Sequence, residues 1–314
     1  MRIAFVWDWE PNYYQSITWE DGLAGALKVL IDRGHEVAVM CAGDTDNVIK
    51  HPLFDMHVLT DIPKFVKEYN PDVVLHWADM TRPNAIETFK MGTPQAICFA
   101  GGEPLAENVA LFDHIFVESQ VYEDVFKERG YSVSRAFGTN TELFKPMDDQ
   151  PKVFDTIFPA TFAAWKRHEI YARATKGLTS LAVGYRYHDH EQECWQVCLD
   201  NDVMILPHVS AQTLHELYAA SRVCVVPSLS SGGSQRTVLE AMSMNLPLII
   251  TDSDKFDFAH GHGAFVADPD PNSVRALINM ALESEVSTRD YIVENWSEYT
   301  YADALEAGLK GILK

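Results

Sequence analysis

Short apolar runs alternate with amphipathic stretches along the first half of the chain. Arg2–Trp7 is apolar at consecutive positions after Arg2, the pattern of a strand buried on both faces. Gly22–Arg33 follows, with Leu23, Ala26, Leu27 and Leu30 at the three- and four-residue spacing of one helix face. Gly34 closes that helix, and His35–Met40 reads as the next strand. Ile62–Tyr69 reads as a helix, Asp72–His76 as a strand, Pro83–Lys90 as a helix opened by proline, and Gln95–Phe99 as a strand. A glycine-rich turn leads to a strand at Ile115–Val117 and a helix at Gln120–Arg129. Strands and helices in this alternation specify a parallel sheet covered by helices on both faces.

The alternation breaks at Phe137–Lys152, where turn formers and the prolines Pro146 and Pro151 cluster, so the linker is placed there. It then restarts. Strands are predicted at Leu181–Gly184, Val203–Leu206, Val223–Pro227 and Leu248–Thr251, with helices near Glu191–Leu199, Ala211–Ser221 and Arg236–Ser243, and further helices to the end. The fold class is therefore α/β, with two doubly wound, Rossmann-like domains facing a cleft. In such sheets ligands sit outside the carboxyl ends of the strands, so the loops after strands are where chemistry is sought.

Composition narrows the classes. The 314 residues are 47% hydrophobic and 22% charged, which is globular rather than disordered. The net charge of −20 makes nucleic acid and anionic lipid poor partners. No apolar run reaches the ~18 residues of a membrane span, and the apolar start is too short for a signal peptide. Five scattered cysteines without a Cys-x-x-Cys pair read as free thiols of a cytoplasmic protein. The densest basic spot is Lys166-Arg167-His168, which suits one small anion.

The most specific stretch is Val225-Val226-Pro227-Ser228-Leu229-Ser230-Ser231-Gly232-Gly233-Ser234-Gln235-Arg236-Thr237-Val238-Leu239-Glu240-Ala241-Met242. A buried strand ends at Pro-Ser, a loop of small residues follows, and a helix begins near Arg236. Backbone amides at a helix start, approached through glycines, form an anion site suited to phosphates. Glu240, one turn in, can accept two hydrogen bonds from a vicinal diol such as a ribose. The plain alternative is a loop before an ordinary helix with Glu240 as a surface charge.

This stretch resembles the signature of the GT-B glycosyltransferases of the group 1 (GT4-like) family, Pro-Ser…Glu-Gly-Phe-Gly…Leu-Glu-Ala-Met. Other landmarks fall in the same order: Gly34-His35-Glu36-Val37, Asn70-Pro71-Asp72-Val73-Val74-Leu75-His76, Asn140-Thr141-Glu142-Leu143-Phe144-Lys145-Pro146, and Leu214-His215-Glu216-Leu217-Tyr218-Ala219-Ala220-Ser221. Trp165-Lys166-Arg167-His168-Glu169 stands where the family has a Lys-Gly pair. The resemblance implies a GT-B protein with domains at 1–145 and 146–295 and a last helix, 296–314, returning to the first domain. It implies transfer of a sugar from a nucleoside-diphosphate sugar, such as a UDP- or GDP-sugar with the base left open, to an acceptor hydroxyl in carbohydrate biosynthesis. Configuration would be retained, with neither metal nor other cofactor. The acceptor would be a carbohydrate, a lipid-linked molecule or another small molecule. Glu240 would hold the ribose, the amides of Thr237 and Val238 the diphosphate, and Arg236, Gln235, Ser234, Gly233, Gly232 and Gly184 would line the donor site. The base would lie near Leu206–Val209, His208 included. Lys166 with Arg167 would neutralise the departing diphosphate, because fixed cations stabilise charge that develops as the glycosidic bond breaks.

The chain departs from the pattern. The family's first glutamate, eight residues before Glu240, is Gly232 here, and the turn at Val183-Gly184-Tyr185-Arg186 lacks a second glycine. The first-strand glycine loop is reduced to Asp21-Gly22. On the acceptor side Trp7, Trp9, Glu10 and Tyr13 offer ring faces and a carboxylate to a sugar, or form a partly buried aromatic loop. His76 at its strand end could assist proton transfer, or be a satisfied buried histidine, and Glu103 follows the next strand. His188-Asp189-His190 and His260-Gly261-His262 are weak metal patterns, and the metal expectation is none. Rival readings are a non-catalytic nucleotide-sugar binder or degenerate GT-B member, a sugar-nucleotide epimerase or phosphorylase-like enzyme, and a DNA glycosyltransferase that the charge disfavours.

Overall fold

A computed structural model describes residues 1–7, 22–78, 88, 91–99, 110–185, 191–207, 209–229, 236–251 and 256–313. They form two compact units, one from the described residues of 1–138 and 298–313, the other from those of 139–297.

The first unit is an eight-stranded sheet of order β3-β4-β2-β1-β5-β6-β7-β8. Its strands are β1 (Arg2–Trp7), β2 (Glu36–Ala42), β3 (Asn47–Lys50), β4 (Asp55–Leu59), β5 (Val73–Ala78), β6 (Gln95–Phe99), β7 (His114–Val117) and β8 (Val133–Arg135). All pairs are parallel except the β3–β4 hairpin. Alternate residues of the buried strands serve opposite faces. Ala4, Val6, Ala38, Met40 and Val74 pack with Ile62 and Val66 of helix α2 (Ile62–Tyr69), whose start is capped by Asp61. Ile97, Phe99, Ile115 and Val117 pack against Phe126 of helix α3 (Gln120–Glu128), capped by Ser119. Helix α1 (Gly22–Asp32) lies against the C-terminal helix α10 (Glu298–Ile312). Glu306 of α10 fixes that end, taking Arg33 at 2.9 Å and His35 at 3.1 Å.

The second unit is a six-stranded, all-parallel sheet of order β11-β10-β9-β12-β13-β14. Its strands are β9 (Phe154–Pro159), β10 (Ser180–Val183), β11 (Met204–Leu206), β12 (Ser221–Val226), β13 (Leu248–Thr251) and β14 (Ala264–Ala267). Counted from β9 this is the 3-2-1-4-5-6 order of a dinucleotide-binding sheet. Its helices are α4 (His168–Ala174), α5 (Glu191–Leu199), α6 (Ala211–Ala219), α7 (Arg236–Ser243), α8 (Pro271–Ala281) and α9 (Arg289–Asn295).

The sequence pattern missed the central strand β9. Its Asp155 and Thr156 break the apolar run, yet Thr156 is fully buried because Tyr171 and Ser180 satisfy its hydroxyl at 2.9 and 3.0 Å. It also missed β3, β4, β8 and β14, and it ran α6 to Ser221, which instead opens β12. Residues 139–145 sit in the second unit, so the break between units comes earlier than the drawn 145/146 boundary. The reason is local: Arg289 donates to the carbonyls of Thr141 and Phe144 at 2.9 Å, and the Phe144 ring meets Tyr218 edge-on at 5.9 Å.

Candidate functional site

β9 and β12 are neighbours at the centre of the second sheet, and the chain leaves them toward opposite edges. This is the topological switch point, where the diverging connections leave room for a ligand beyond the strand ends. Three segments meet there.

The first follows β9. Ala164–Lys166 is a single 3-10 turn, Arg167 is left-handed (φ 57°, ψ 48°), and α4 starts at His168. The basic pair is therefore a turn broken between its two cations, with Arg167 in the N-cap position of α4. A left-handed non-glycine residue stores about 1–3 kcal/mol and persists only where its surroundings hold it. Here His168 is the anchor. It is fully buried, stacked on Phe162 at 4.7 Å and beside Phe158 at 4.9 Å. Burial, with the Lys166 charge behind it, pushes its pKa down to about 3, so the ring is neutral. Among the described residues neither ring nitrogen has a partner in hydrogen-bond geometry, although the Ala163 backbone lies near the ring.

The second follows β10. The Gly184 amide donates to Leu206 at 3.2 Å, and a Cβ on Gly184 would lie 1.8 Å from the Ala160 carbonyl oxygen. Glycine is demanded here by backbone proximity to the segment leading to Lys166.

The third follows β12. The Leu229 amide donates to the Trp165 carbonyl at 2.8 Å, tethering this loop to the basic turn. Thr251, at the end of β13, donates to the Ser228 carbonyl at 3.0 Å. Gly232, Gly233, Ser234 and Gln235 lie outside the described residues. α7 spans Arg236–Ser243, and the amides of a helix's first turn lack intrahelical acceptors. Thr237 Oγ1 donates to the Pro159 carbonyl at 3.2 Å and so fixes the start of α7 to the end of β9. Val238 is buried in the core.

Glu240 lies on the second turn of α7, 8% exposed. Its Oε2 accepts from Tyr218 Oη at 2.9 Å, and no other hydrogen bond to the carboxylate forms among the described residues. Burial raises its pKa, opposed by the Arg236 charge and the Tyr218 bond. Burial also raises the Tyr218 pKa, keeping that phenol a donor. One carboxylate oxygen is thus held and the other is uncommitted. Behind α7, Arg289 clasps Ser243 at 3.0 Å and Ser243 Oγ donates to Phe144 at 2.5 Å. Tyr218 and His168 escaped the sequence reading. Tyr218 was visible only as an aromatic in a helix motif, and His168 only as the tail of a basic spot.

Two candidates change role. His76 is inside the first unit, 3% exposed, with Nε2 2.7 Å from Gln95 Oε1, and burial takes its pKa down to about 4. It is a neutral core group, because its strand continues past it to Ala78. Trp7 is 2% exposed, one face stacked on Trp77 at 4.0 Å, so that face is taken by protein rather than offered to a sugar. Trp9, Glu10, Tyr13, Glu103, His208 and the His188-Asp189-His190 run lie outside the described residues. His262 stacks on Tyr291 at 3.8 Å, and among the described residues no three His, Cys, Asp or Glu gather in a metal-binding group. All five cysteines are free and buried, and no helix among the described residues is long and apolar enough to cross a membrane.

Residues 161–284, which hold all three segments except the end of β9, match the sequence profile described as "Glycosyl transferases group 1". No curated protein sequence matches the chain. Solved structures match over its whole length. HepE from Anabaena, in complex with UDP and glucose, is 16% identical with a TM-score of 0.75, over 99% of this chain and 100% of that one. The sucrose-phosphate synthase of Thermosynechococcus elongatus is 14% identical with a TM-score of 0.72, over 100% of this chain and 95% of that one. A glycosyltransferase from Rickettsia africae is 15% identical with a TM-score of 0.71, over 100% and 99%. The chain therefore has the GT-B fold, and residues 161–284 carry the signature of the group 1 glycosyltransferases.

Proposed function

We propose that the protein transfers a sugar from a nucleoside-diphosphate sugar to an acceptor hydroxyl, with retained configuration and without a metal ion. The observation that carries the reading is the pairing, at one switch point, of a half-committed buried carboxylate with a cationic turn tethered to the loop before its helix. The free oxygen of Glu240 accepts from the ribose hydroxyls. The first-turn amides of α7, Thr237 and Val238 among them, face the diphosphate with the positive end of the helix dipole. Lys166 meets the charge that grows on the diphosphate as the bond from the anomeric carbon to phosphate oxygen breaks. The acceptor oxygen then bonds to that carbon from the same face, and its proton passes to the leaving phosphate oxygen. The Lys166 cation and the helix amides do the work a metal would do at the leaving group, and no protein base is required. Free buried thiols are in keeping with a reducing, cytoplasmic setting.

The test is transfer and donor hydrolysis against a panel of UDP-, GDP-, ADP- and TDP-sugars, with and without EDTA. Turnover of one donor that survives chelation is expected. Loss on chelation and recovery with a divalent ion would refute the metal-free leaving-group argument. Binding without turnover of any donor would favour the second reading, a nucleotide-sugar binder, which the glycine at 232 in place of the family's glutamate motivates.

A further inference from the structure

Buried hydroxyls around the strands of the second unit are mostly satisfied. Thr156 bonds Tyr171 and Ser180, Thr175 bonds the Tyr171 carbonyl, and Thr251 bonds the Ser228 carbonyl. The exceptions among the described residues are Thr139 at the unit boundary and Ser228. Ser228 is 1% exposed, stands at the carboxyl end of β12 beside the switch point, and its Oγ has no partner. Its backbone is fixed from both sides, by Thr251 on its own carbonyl and by Trp165 on the next amide, at 3.0 and 2.8 Å. The side chain alone is uncommitted. A buried hydroxyl with no partner destabilises a fold, and such groups call for a specific explanation.

We infer that Ser228 Oγ is a ligand-binding group that donates a hydrogen bond to a non-bridging oxygen of the donor diphosphate. The inference rests on the donor-site reading above and deepens it. Its chemistry follows from the groups that the donor-site reading gives to the diphosphate. The Lys166 ammonium and the first-turn amides of α7 can only donate, and a serine hydroxyl without an acceptor completes the set. A set of donors complements a group that only accepts, which a diphosphate is and a sugar hydroxyl is not. One staggered step about χ1 redirects Oγ while the clamped backbone stays in place.

Isothermal titration of UDP and ADP, and of uridine and adenosine, into wild type, Ser228→Ala and Glu240→Gln tests it. For the nucleotide that binds wild type, Ser228→Ala should weaken the diphosphate about tenfold and leave the matching nucleoside unchanged. Its thermal midpoint should not fall, because the hydroxyl has no protein partner to lose. Unchanged diphosphate affinity in Ser228→Ala, with Glu240→Gln weakened, overturns the inference and leaves the donor site standing. Equal weakening of nucleoside and diphosphate, or a lowered midpoint, also overturns it by making the hydroxyl structural. Failure of every nucleotide to bind wild type overturns the donor-site reading itself.

Discussion

Acid should destabilise this protein through histidines held neutral in its interior, and His168 offers a clean way to measure it. The ordinary histidine value is 6.5, and burial takes His168 to about 3 and His76 to about 4. The unfolded chain therefore binds more protons than the folded one below pH 6.5. Stability is complete above that value and is lost as the pH falls toward the folded pKa. At about pH 5 each ring has forfeited about 2 kcal/mol, a large part of the 5–15 kcal/mol typical of a domain. Glu240, whose pKa is raised, works the other way on acidification, and Glu306, held down to about 2, acts only at lower pH. Both are common to wild type and a His168→Leu variant, so they cancel in the comparison. Leucine keeps an apolar side chain between Phe158 and Phe162 and removes no hydrogen bond, so His168→Leu should sit within about 1.5 kcal/mol of wild type near pH 7.5. Urea unfolding followed by tryptophan fluorescence at about pH 7.5 and 5 should show the variant losing about 2 kcal/mol less than wild type. The site shares in the effect, because His168 anchors the left-handed Arg167 and hence the turn that presents Lys166. Identical pH dependence in both proteins would refute the reasoning.

Two further outcomes test the donor site. Glu240→Gln should weaken the nucleoside diphosphate by ~1–3 kcal/mol in calorimetry. Nucleoside affinity, followed by NMR, should fall on acidification in wild type with a midpoint above the ~4.3 of a free glutamate and stay flat in the variant, since only the ionised carboxylate accepts from both hydroxyls. Lys166→Ala should lower turnover more than it weakens nucleoside binding, because its charge matters most as the diphosphate departs. Arg167→Gly removes the other cation and relieves the left-handed strain, so it should leave stability equal or higher. If kinetics show a large loss from Arg167→Gly and none from Lys166→Ala, the roles of the two cations are reversed.

The sequence by itself determined the fold class, because runs such as Ile3–Trp7 and Leu248–Thr251 and the helix periodicity of Gly22–Arg33 are local signals that burial alone imposes. It also marked the loop and helix around Arg236–Ser243, since glycines before a helix with a carboxylate one turn in form a short, contiguous pattern. What it could not carry was anything decided by partners distant in the chain. β9 stayed hidden because Thr156 is polar, and only Tyr171 and Ser180, brought in by the fold, make its burial tolerable. His76 and Trp7 looked available because each closes the strand that the sequence pattern predicts, and their burial against Gln95 and Trp77 is a property of packed strands. Glycine at 184 is explained by a carbonyl from another strand, at Ala160. Tyr218, His168 and Ser228 gained meaning only when parallel pairing placed β9 beside β12, because hydrogen bonding and desolvation depend on distance in space rather than position along the chain.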